Sequence, residues 1–362
     1  MLSSPQICSI NQRTLRRCKR EIRSGGLVSF PTETVYGLGA DALNPNAVVQ
    51  IFAWKGRPIT NPVIIHFSKI SQISKIIKLT HLEMEAMLII AKECWPGPLT
   101  LVLRASDLVP KEITAGKDFV GVRMPNDSVA LQLINECDCL IAAPSANISG
   151  HCSPYTANHV ADDFRNKNLI ILEDSENCAF RCGIESSVMK LEQIEGDFLK
   201  ITVLRTGFIG GTKIKRILET NGFHVNLEYY DRITTEEIPM DCPGQLFRHY
   251  APEIPAFIES PIANTNITTN ELSHYIIIGA NNSLIEYQSQ CIRYFNLGDS
   301  IRDVAKNIYS VLRLAEKIEN AKGIIISVIN LSHYTDPDSD LDKAITDKLM
   351  RCSEGHTIKI QS

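Results

Sequence analysis

Short apolar runs and helical periodicities alternate along the chain up to about residue 220. Apolar residues recur every three or four positions in segments that predict helices at 9–24, 45–55, 81–93, 128–136, about 155–164 and 213–220. The short apolar runs between them predict strands at 27–30, 63–67, 99–103, 119–123, 140–143, 169–172 and 201–205. Alternation of helices and strands is typical of an α/β fold.

The pattern changes at about residue 226. No period is visible up to residue 252, and prolines at 239, 243 and 252 predict an extended linker. Beyond it, a smaller α/β pattern predicts strands at 275–278, 291–295 and 323–328 and helices at 301–319 and 341–351. We therefore expect a domain at 9–225, an interdomain linker at 226–254 and a small α/β C-terminal domain at 255–362.

Composition and charge restrict the class of protein. Of 362 residues, 44% are apolar and 22% are charged, as in a globular protein. The net charge of −4 argues against a dedicated duplex-binding protein, although 37 basic residues are enough for a local basic cleft. The 11 cysteines lack the spacing of a zinc or redox motif, and no apolar run approaches the ~18 residues of a membrane span. A cytoplasmic protein with reduced thiols and no membrane segment is expected.

Two polar stretches are candidates for a nucleotide site. The first is Lys55-Gly56-Arg57, in which glycine lets the backbone approach a ligand, and the two cations suit phosphate oxygens. The second follows a predicted strand and contains Ser145 and Asn147, at the strand end where open α/β sheets usually contact ligands. A solvated loop and an ordinary turn are the alternative interpretation of the same residues.

Three further features are open to more than one interpretation. His66 lies near the end of a predicted strand and is either structural or catalytic. Arg123 also ends a strand, where it clamps a carboxylate or forms a salt bridge. The stretch 32–39 combines hydroxyls, one carboxylate and two glycines and predicts a loop that turns beside a ligand, but it lacks the G-x-G-x-x-G spacing of a dinucleotide loop.

Taken together, these stretches resemble the threonylcarbamoyl-adenylate synthases in their two-domain form. The similarity rests on Phe30–Asp41, Lys55–Pro58 with Asn61, Pro62 and His66, Trp95–Thr100, Val122–Pro125, Ala143–Gly150, Gly183–Ser187, Leu204-Arg205, Pro243–Pro252 and Ala344–Arg351. The resemblance covers almost the whole chain. It implies a YrdC-like domain, a twisted mixed sheet with a large cleft, followed by a smaller Rossmann-like α/β domain.

The resemblance also implies an activity. Members of this family are nucleotidyltransferases that join L-threonine, bicarbonate and ATP into threonylcarbamoyl-AMP and release pyrophosphate. Other threonylcarbamoyl-transfer proteins then modify the adenosine beside the anticodon of certain tRNAs. The expected cofactor is Mg²⁺ held by the ATP phosphates, without metal ligands from protein side chains and without an organic cofactor.

By the same resemblance, Lys55 and Arg57 are the catalytic residues. The residues expected to bind ATP are Lys55, Arg57, Asn61, Phe119, Ser145, Asn147, Ser153, Arg205, Arg248, His249 and Tyr250. The residues expected to bind threonine are Thr34, His66, Arg123, Ala143 and Ser186, with Arg123 on the carboxylate and Ala143 acting only through its backbone.

Other functions remain open at this stage. An RNA-binding module with a basic cleft and no catalysis uses the same cations on phosphates, and it predicts tight, salt-sensitive RNA binding without ATP. A carbamoyl-transfer module of the hydrogenase-maturation type needs further catalytic and zinc domains that the sequence lacks. The absence of Gly-x-x-x-x-Gly-Lys-[Ser/Thr] argues against a Walker-type ATPase. The sequence does not indicate an oligomeric state.

Overall fold

The computed structural model describes residues 4–173, 182–230, 250–263, 265–327, 336 and 338–361. Contacts between Cα atoms divide the chain into two compact units. Unit 1 comprises Met1–Ser149, Ser153–Gln245 and Pro337–Asp340, and unit 2 comprises Gly150–Cys152, Leu246–Asp336 and Leu341–Ser362. Within the described ranges, no helix has both the length and the apolar character that a membrane crossing requires.

The described part of unit 1 is built on one mixed sheet of eleven strands. The strands are β1 (Gln6–Cys8), β2 (Val28–Phe30), β3 (Gly37–Asp41), β4 (Ile65–His66), β5 (Leu99–Arg104), β6 (Phe119–Arg123), β7 (Ile141–Ala142), β8 (Ile170–Leu172), β9 (Ser187–Gln193), β10 (Phe198–Arg205) and β11 (His224–Tyr229). Their order across the sheet is β1-β8-β2-β3-β7-β4-β6-β5-β9-β10-β11. The predicted α/β fold with a mixed-sheet first domain is confirmed.

Three short strands in the middle of this sheet determine where polar side chains meet. β4 pairs parallel with β6, which places His66 opposite Arg123, and it pairs antiparallel with β7. β6 also pairs antiparallel with β5. Because successive residues of a strand point to opposite faces, Val120 and Val122 enter one face of the sheet and Arg123 lies on the other.

Eight helices flank the sheet in the described residues of unit 1. They are α1 (Gln12–Arg23), α2 (Pro45–Lys55), α3 (Ile70–Ile73), α4 (His81–Cys94), α5 (Lys111–Thr114), α6 (Ser128–Cys137), α7 (Ala157–Asp163) and α8 (Gly211–Thr220). Short polar side chains begin several of them by accepting bonds from free backbone amides, as the Asn11 side chain does from Thr14 at 2.9 Å. Thr80 and Glu83 form a reciprocal capping box on α4.

Apolar clusters cover both faces of the sheet. On one face, α1 and α6 contribute Leu15, Ile22 and Leu133, which pack with Phe30 and Ile141. On the other face a larger cluster joins strand residues to the apolar sides of α2, α4 and α8, through residues such as Ile51, Ile90 and Ile214. The two clusters hold the sheet rigidly between helices, so the strand ends that carry polar residues have fixed positions.

The structure differs from the sequence prediction at β3 and β11. The stretch 32–39 was predicted to be a loop, but its last residues form β3 between β2 and β7. A Cβ at Gly39 would lie 2.7 Å from the Phe30 ring and 2.8 Å from Ile141. Close packing therefore requires glycine here, and glycine hides the apolar pattern of a strand. Residues 226–229, predicted to begin the linker, belong to β11, while 231–249 lie outside the described residues.

Unit 2 contains a six-stranded sheet in which every described pairing is parallel. Its elements are β12 (Ala256–Glu259), β13 (Asn266–Thr268), β14 (Tyr275–Gly279), β15 (Arg293–Asn296), α9 (Ile301–Ala315), β16 (Gly323–Ser327), α10 (Leu341–Cys352) and β17 (Thr357–Gln361), with 3₁₀ segments at Thr269–His274 and Ile285–Tyr287. The strand order is β13-β17-β12-β16-β14-β15. Continuous isoleucine runs in β14 and β16 are typical of parallel strands that are buried on both faces. The predicted second α/β domain is confirmed.

Candidate functional site

Lys55 joins the two stretches that the sequence singled out as a nucleotide site. It is the last residue of α2, and its side chain is 1% exposed. Its ammonium donates to the backbone carbonyl of Ser145 at 2.6 Å, to that of Asn147, and to the Asn147 side-chain oxygen at 3.4 Å. The Ser145 hydroxyl donates to the same side-chain oxygen. The lysine is therefore held in a fixed position against the chain that follows β7.

Arg57 is positioned by the loop that follows it. Gly56 ends α2 in the left-handed conformation with φ of 59°, a geometry that glycine adopts without strain. The Arg57 guanidinium then donates to the Asn61 carbonyl at 3.1 Å, to the Asn61 side-chain oxygen, and to the Pro62 carbonyl at 2.6 Å. Neutral oxygen atoms of neighbouring backbone and amide groups thus orient both cations.

The hydroxyls of Thr32 and Thr34 form a short chain with a defined direction. Thr32 donates its single hydroxyl proton to the Val35 carbonyl at 2.7 Å. Because that proton is used, Thr34 is the donor in the 2.8 Å bond between the two hydroxyls. Thr34 in turn accepts from the Nη2 atom of Arg123 at 3.0 Å. The site therefore presents lone pairs of the Thr34 oxygen, and not its proton, to a ligand beside Arg123.

Arg123 and Glu33 form a buried ion pair. Their Nη2 and Oε2 atoms are 2.7 Å apart, and the side chains are 5% and 0% exposed. Apart from this pair, neither carboxylate oxygen of Glu33 has a hydrogen-bond partner among the described residues, and the Arg123 Nε atom has none there either. Buried polar atoms are nearly always bonded in folded proteins, so this cluster has capacity for a polar ligand.

His66 lies beside Arg123 in the parallel pairing of β4 with β6. Its ring meets the Phe30 ring edge to face, with 6.1 Å between centroids. Burial, together with the positive charge of Arg123, lowers the pKa of His66 from 6.5 to about 3. The imidazole is therefore neutral at physiological pH and contributes hydrogen-bonding atoms without a charge.

Ser186 lies just before β9 within a second cluster of hydroxyl groups. The Arg205 guanidinium donates to the Ser186 carbonyl at 3.0 Å and to its hydroxyl at 3.1 Å. The Thr100 hydroxyl is 2.8 Å from that of Ser186. A Cβ on Gly121 would meet the Thr100 methyl group, so Thr100 shares a sheet face with Gly121 and Arg123. His66, Arg123, Thr100 and Ser186 therefore form a polar row along one face of the sheet.

Two more of the predicted residues lie close to these strands. Ala143 follows β7 directly, and its amide donates to the Ile64 carbonyl at 2.9 Å. The Ser153 hydroxyl donates to a carboxylate oxygen of Glu185 at 2.5 Å, and both side chains are buried. Ser153 and Ser186 are thus linked through adjacent positions of the segment that precedes β9.

The contacts described so far do not include four of the predicted residues, Phe119, Arg248, His249 and Tyr250. Phe119 begins β6 and lies four positions before Arg123, which corresponds to about 13 Å along the strand. The Lys190 ammonium lies 3.7 Å from the centre of its ring. Tyr250 belongs to unit 2, where its ring packs beside Tyr309 with 5.6 Å between centroids. Arg248 and His249 lie outside the described residues.

Glu33, Thr32, Thr100 and Glu185 were not predicted as site residues. Glu33 and Thr32 are part of the loop with mixed hydroxyls and a carboxylate, and Thr100 interrupts the apolar run of β5. A polar residue inside an apolar strand pattern is the signal that could have revealed Thr100. For metals, the described residues contain no group of three or more His, Cys, Asp or Glu side chains arranged to hold an ion.

Family models and known proteins match this chain over nearly its whole length. A family model described as "Telomere recombination" matches residues 20–207, and a model described as "Threonylcarbamoyl-AMP synthase, C-terminal domain" matches residues 209–353. The threonylcarbamoyl-AMP synthase of Pyrococcus abyssi is 39% identical over 322 residues, which cover 85% of this chain and 90% of the relative. That of Bacillus subtilis is 32% identical over 363 residues, covering 97% and 96%.

A solved structure extends this similarity to three dimensions. The crystal structure of P. abyssi Sua5 complexed with L-threonine superposes with a TM-score of 0.77 and 33% sequence identity, and the match covers 100% of both chains. Sequence and structure therefore point to relatives of one activity over both units.

Proposed function

The chain belongs to the threonylcarbamoyl-AMP synthase family of nucleotidyltransferases, and from this premise we propose how its own residues carry the reaction. L-threonine, bicarbonate and ATP are its substrates, and threonylcarbamoyl-AMP and pyrophosphate are its products. The observation that carries the proposal is the buried cluster of Arg123, Thr34 and His66, in a chain that matches a threonine-bound relative over its full length.

The amino acid occupies the cluster around Arg123. An arginine fork is the preferred partner of a carboxylate, and Thr34 adds an acceptor for the ammonium or the substrate hydroxyl. Neutral His66 and the hydroxyl of Ser186 supply further polar contacts, and the backbone at Ala143 is a neighbouring acceptor. Because these groups are buried, the site can discriminate between threonine and similar amino acids. A ligand that lacks one of threonine's polar groups leaves a buried polar atom of the protein unpaired.

In this proposal, ATP binds next to Lys55 and Arg57. These are the catalytic residues of the proposal, because charge compensation on the phosphates is the main task of a protein in phosphoryl transfer. Asn61, Ser145, Asn147, Ser153 and Arg205 line the nucleotide in this assignment. The assignments of Phe119, Arg248, His249 and Tyr250 to ATP rest on the family resemblance alone.

The chemistry requires no covalent intermediate with the protein. The ammonium of bound threonine first releases a proton to solvent, and the neutral amine then attacks bicarbonate, which gives a carbamate and water. A carbamate oxygen then attacks the α-phosphorus of ATP, and the bond to pyrophosphate breaks. The protein contributes positioning and charge compensation, which together can supply most of the acceleration of such a reaction.

Mg²⁺ accompanies the ATP phosphates in this proposal. Two carboxylates lie near the site, and each has a partner in the protein: Glu33 pairs with Arg123, and Glu185 accepts a hydrogen bond from Ser153. The assignment therefore takes no magnesium ligand from either side chain. Lys55 and Arg57 are the groups placed for phosphate. A magnesium ion that retains water and phosphate ligands requires few protein oxygens.

We place the reaction in the cytoplasm, upstream of the proteins that transfer threonylcarbamoyl groups to tRNA. Threonylcarbamoyl-AMP is a mixed anhydride, and its consumption requires a nucleophile on another molecule. The adenosine of a tRNA is the acceptor that the family resemblance implies, through partner proteins of transferase type.

Pyrophosphate release tests this function directly. The protein is incubated with ATP, Mg²⁺ and bicarbonate, with and without L-threonine, and L-serine serves as the matched control. We expect release that depends on threonine and that serine supports at least tenfold less well, because serine lacks the methyl group. Folded, ATP-binding protein without threonine-dependent release would overturn the proposal and would leave RNA binding without catalysis as the function to examine.

A further inference from the structure

The charges around Arg123 balance within the protein itself. Arg123 carries one positive charge, and the fully buried carboxylate of Glu33 lies 2.7 Å from it. His66, its neighbour in the sheet, is neutral because its pKa lies at about 3. The remaining side chains end in uncharged hydroxyl groups, those of Thr34, Thr32 and Thr100. Arg123 and its immediate neighbours Glu33, His66 and Thr34 therefore have a net charge of zero before a ligand arrives, while the guanidinium of Arg205 lies further along the polar row, on Ser186.

A neutral pocket discriminates between ligands by their net charge. Transfer of a net charge from water into a buried site costs free energy unless an opposite charge compensates it. L-threonine is a zwitterion and brings no net charge, whereas a simple carboxylate of the same shape brings one negative charge. Because Arg123 is already paired with Glu33 in the protein, the simple carboxylate is at a disadvantage.

Without Glu33 the same arginine would be a general anion site. A buried, uncompensated guanidinium attracts any small anion, including bicarbonate and pyrophosphate. These two anions are present in the proposed reaction as substrate and product. A carboxylate beside Arg123 therefore separates amino-acid recognition from the anion recognition that Lys55 and Arg57 perform.

We propose that Glu33 is a specificity-determining residue that keeps the pocket around Arg123 electrically neutral, so that it admits a zwitterionic α-amino acid and rejects anions of the same shape. This inference rests on the proposed threonine site. Glu33 acts through Arg123 as a positioning residue and is given no role in the chemical steps.

The test compares L-threonine with (R)-3-hydroxybutanoate, which is threonine without its amino group. Dissociation constants of both are measured by calorimetry without ATP, for the unchanged protein and for Glu33→Gln. We expect Glu33→Gln to bind the hydroxybutanoate at least tenfold more tightly relative to threonine than the unchanged protein does. Glu33→Asp keeps the charge and should keep the original preference.

A purely structural role of Glu33 predicts a different outcome. Loss of packing or orientation would weaken both ligands together, and an unchanged ratio in folded Glu33→Gln would overturn the inference. Asp127→Asn is the matched control, because it also removes a buried carboxylate, at the start of α6, and asparagine can still cap the helix. Its ratio should equal that of the unchanged protein.

Two further measurements keep the test decisive. If Glu33→Gln does not fold, the double variant Glu33→Gln with Arg123→Met removes both charges and avoids an unpaired buried ion. Neutrality predicts no gain of hydroxybutanoate binding in this double variant, and a gain would contradict the inference. Failure of the unchanged protein to bind threonine would instead refute the proposed function, so the two failures are distinguishable.

Discussion

The two sheets of this chain bury opposite kinds of side chain. In unit 2, the neighbouring strands β14 and β16 bury the isoleucine runs 276–278 and 324–326. In unit 1, the neighbouring strands β4 and β6 end on buried His66 and Arg123, with Glu33 ion-paired beside them. Apolar burial stabilises a fold, whereas burial of polar groups costs free energy unless hydrogen bonds replace those of water.

Buried polar groups of this kind are typical of a part of a protein that binds a polar ligand. Apart from the ion pair with Arg123, the carboxylate oxygens of Glu33 have no hydrogen-bond partner among the described residues, in the same unit whose remaining strands are well covered by apolar clusters. Strained or unsatisfied groups of this kind concentrate at functional sites. The strands β14 and β16 serve as the internal reference for a sheet that is optimised for packing.

The largest expected effect comes from the cation at the end of α2. Lys55→Ala should lower kcat/KM for pyrophosphate release on the order of a thousandfold, because a positioned charge on the reacting groups contributes about 4 kcal/mol at most. Lys78→Ala is the control, since Lys78 is an exposed lysine in the same unit, paired with Asp107. Retention of more than a tenth of the activity by Lys55→Ala would contradict the catalytic assignment.

The next effect concerns stability in the other sheet. Ile325→Ala in β16 should lower the free energy of unfolding by about 3 kcal/mol, since it leaves a cavity between packed layers. The dissociation constant of threonine should stay within a factor of two. Ile262→Ala is the matched control, because Ile262 is 88% exposed in the same unit. Denaturant titrations of the three proteins measure the difference, and equal midpoints would refute the packing argument.

His66 makes the stability of unit 1 depend on pH. Its pKa is 6.5 in the unfolded chain and about 3 in the folded protein, so only the unfolded chain binds a proton between these limits. The contribution of neutral His66 to the free energy of unfolding is fully present above pH 6.5. It falls as the pH decreases, and the loss is about 2 kcal/mol at pH 5. The variant His66→Gln should lose this part of the pH dependence. Parallel unfolding curves of both proteins from pH 7.5 to 5 would count against a buried neutral imidazole.

The smallest effect tests the direction of the threonine hydroxyl chain. Thr32→Val removes the acceptor of the Thr34 proton and should weaken threonine binding by about fivefold, or about 1 kcal/mol. Thr32→Ser retains the hydroxyl and should restore most of the affinity. Calorimetric titration with threonine distinguishes the variants. Equal affinities for valine and serine at this position would mean that Thr34 presents its lone pairs without help from Thr32.

Much of the fold and part of the site follow from local patterns. The helix α2 and the strand before Ser145 are visible in the sequence, and each ends at the polar residues that Lys55 joins. The ion pair of Glu33 with Arg123 is not visible, because Glu33 precedes β3 and reaches Arg123 only through the pairing of β3 with β7, β7 with β4 and β4 with β6. β3 escaped prediction for a related reason, since its glycines are explained only by the neighbours Phe30 and Ile141.

The pairing of β5 with β9 also affects how the protein is made. These strands pair parallel from Leu99 opposite Ser187, so synthesis must add the 88 residues that follow Leu99 up to Ser187 before the pair can close. At roughly 5–20 residues per second this takes about 4–18 s. Until β9 has been made, the edge of β5 that later pairs with it has no partner strand. The unpaired edge of β5 is therefore a point at which a chaperone can protect the nascent chain until β9 has been made.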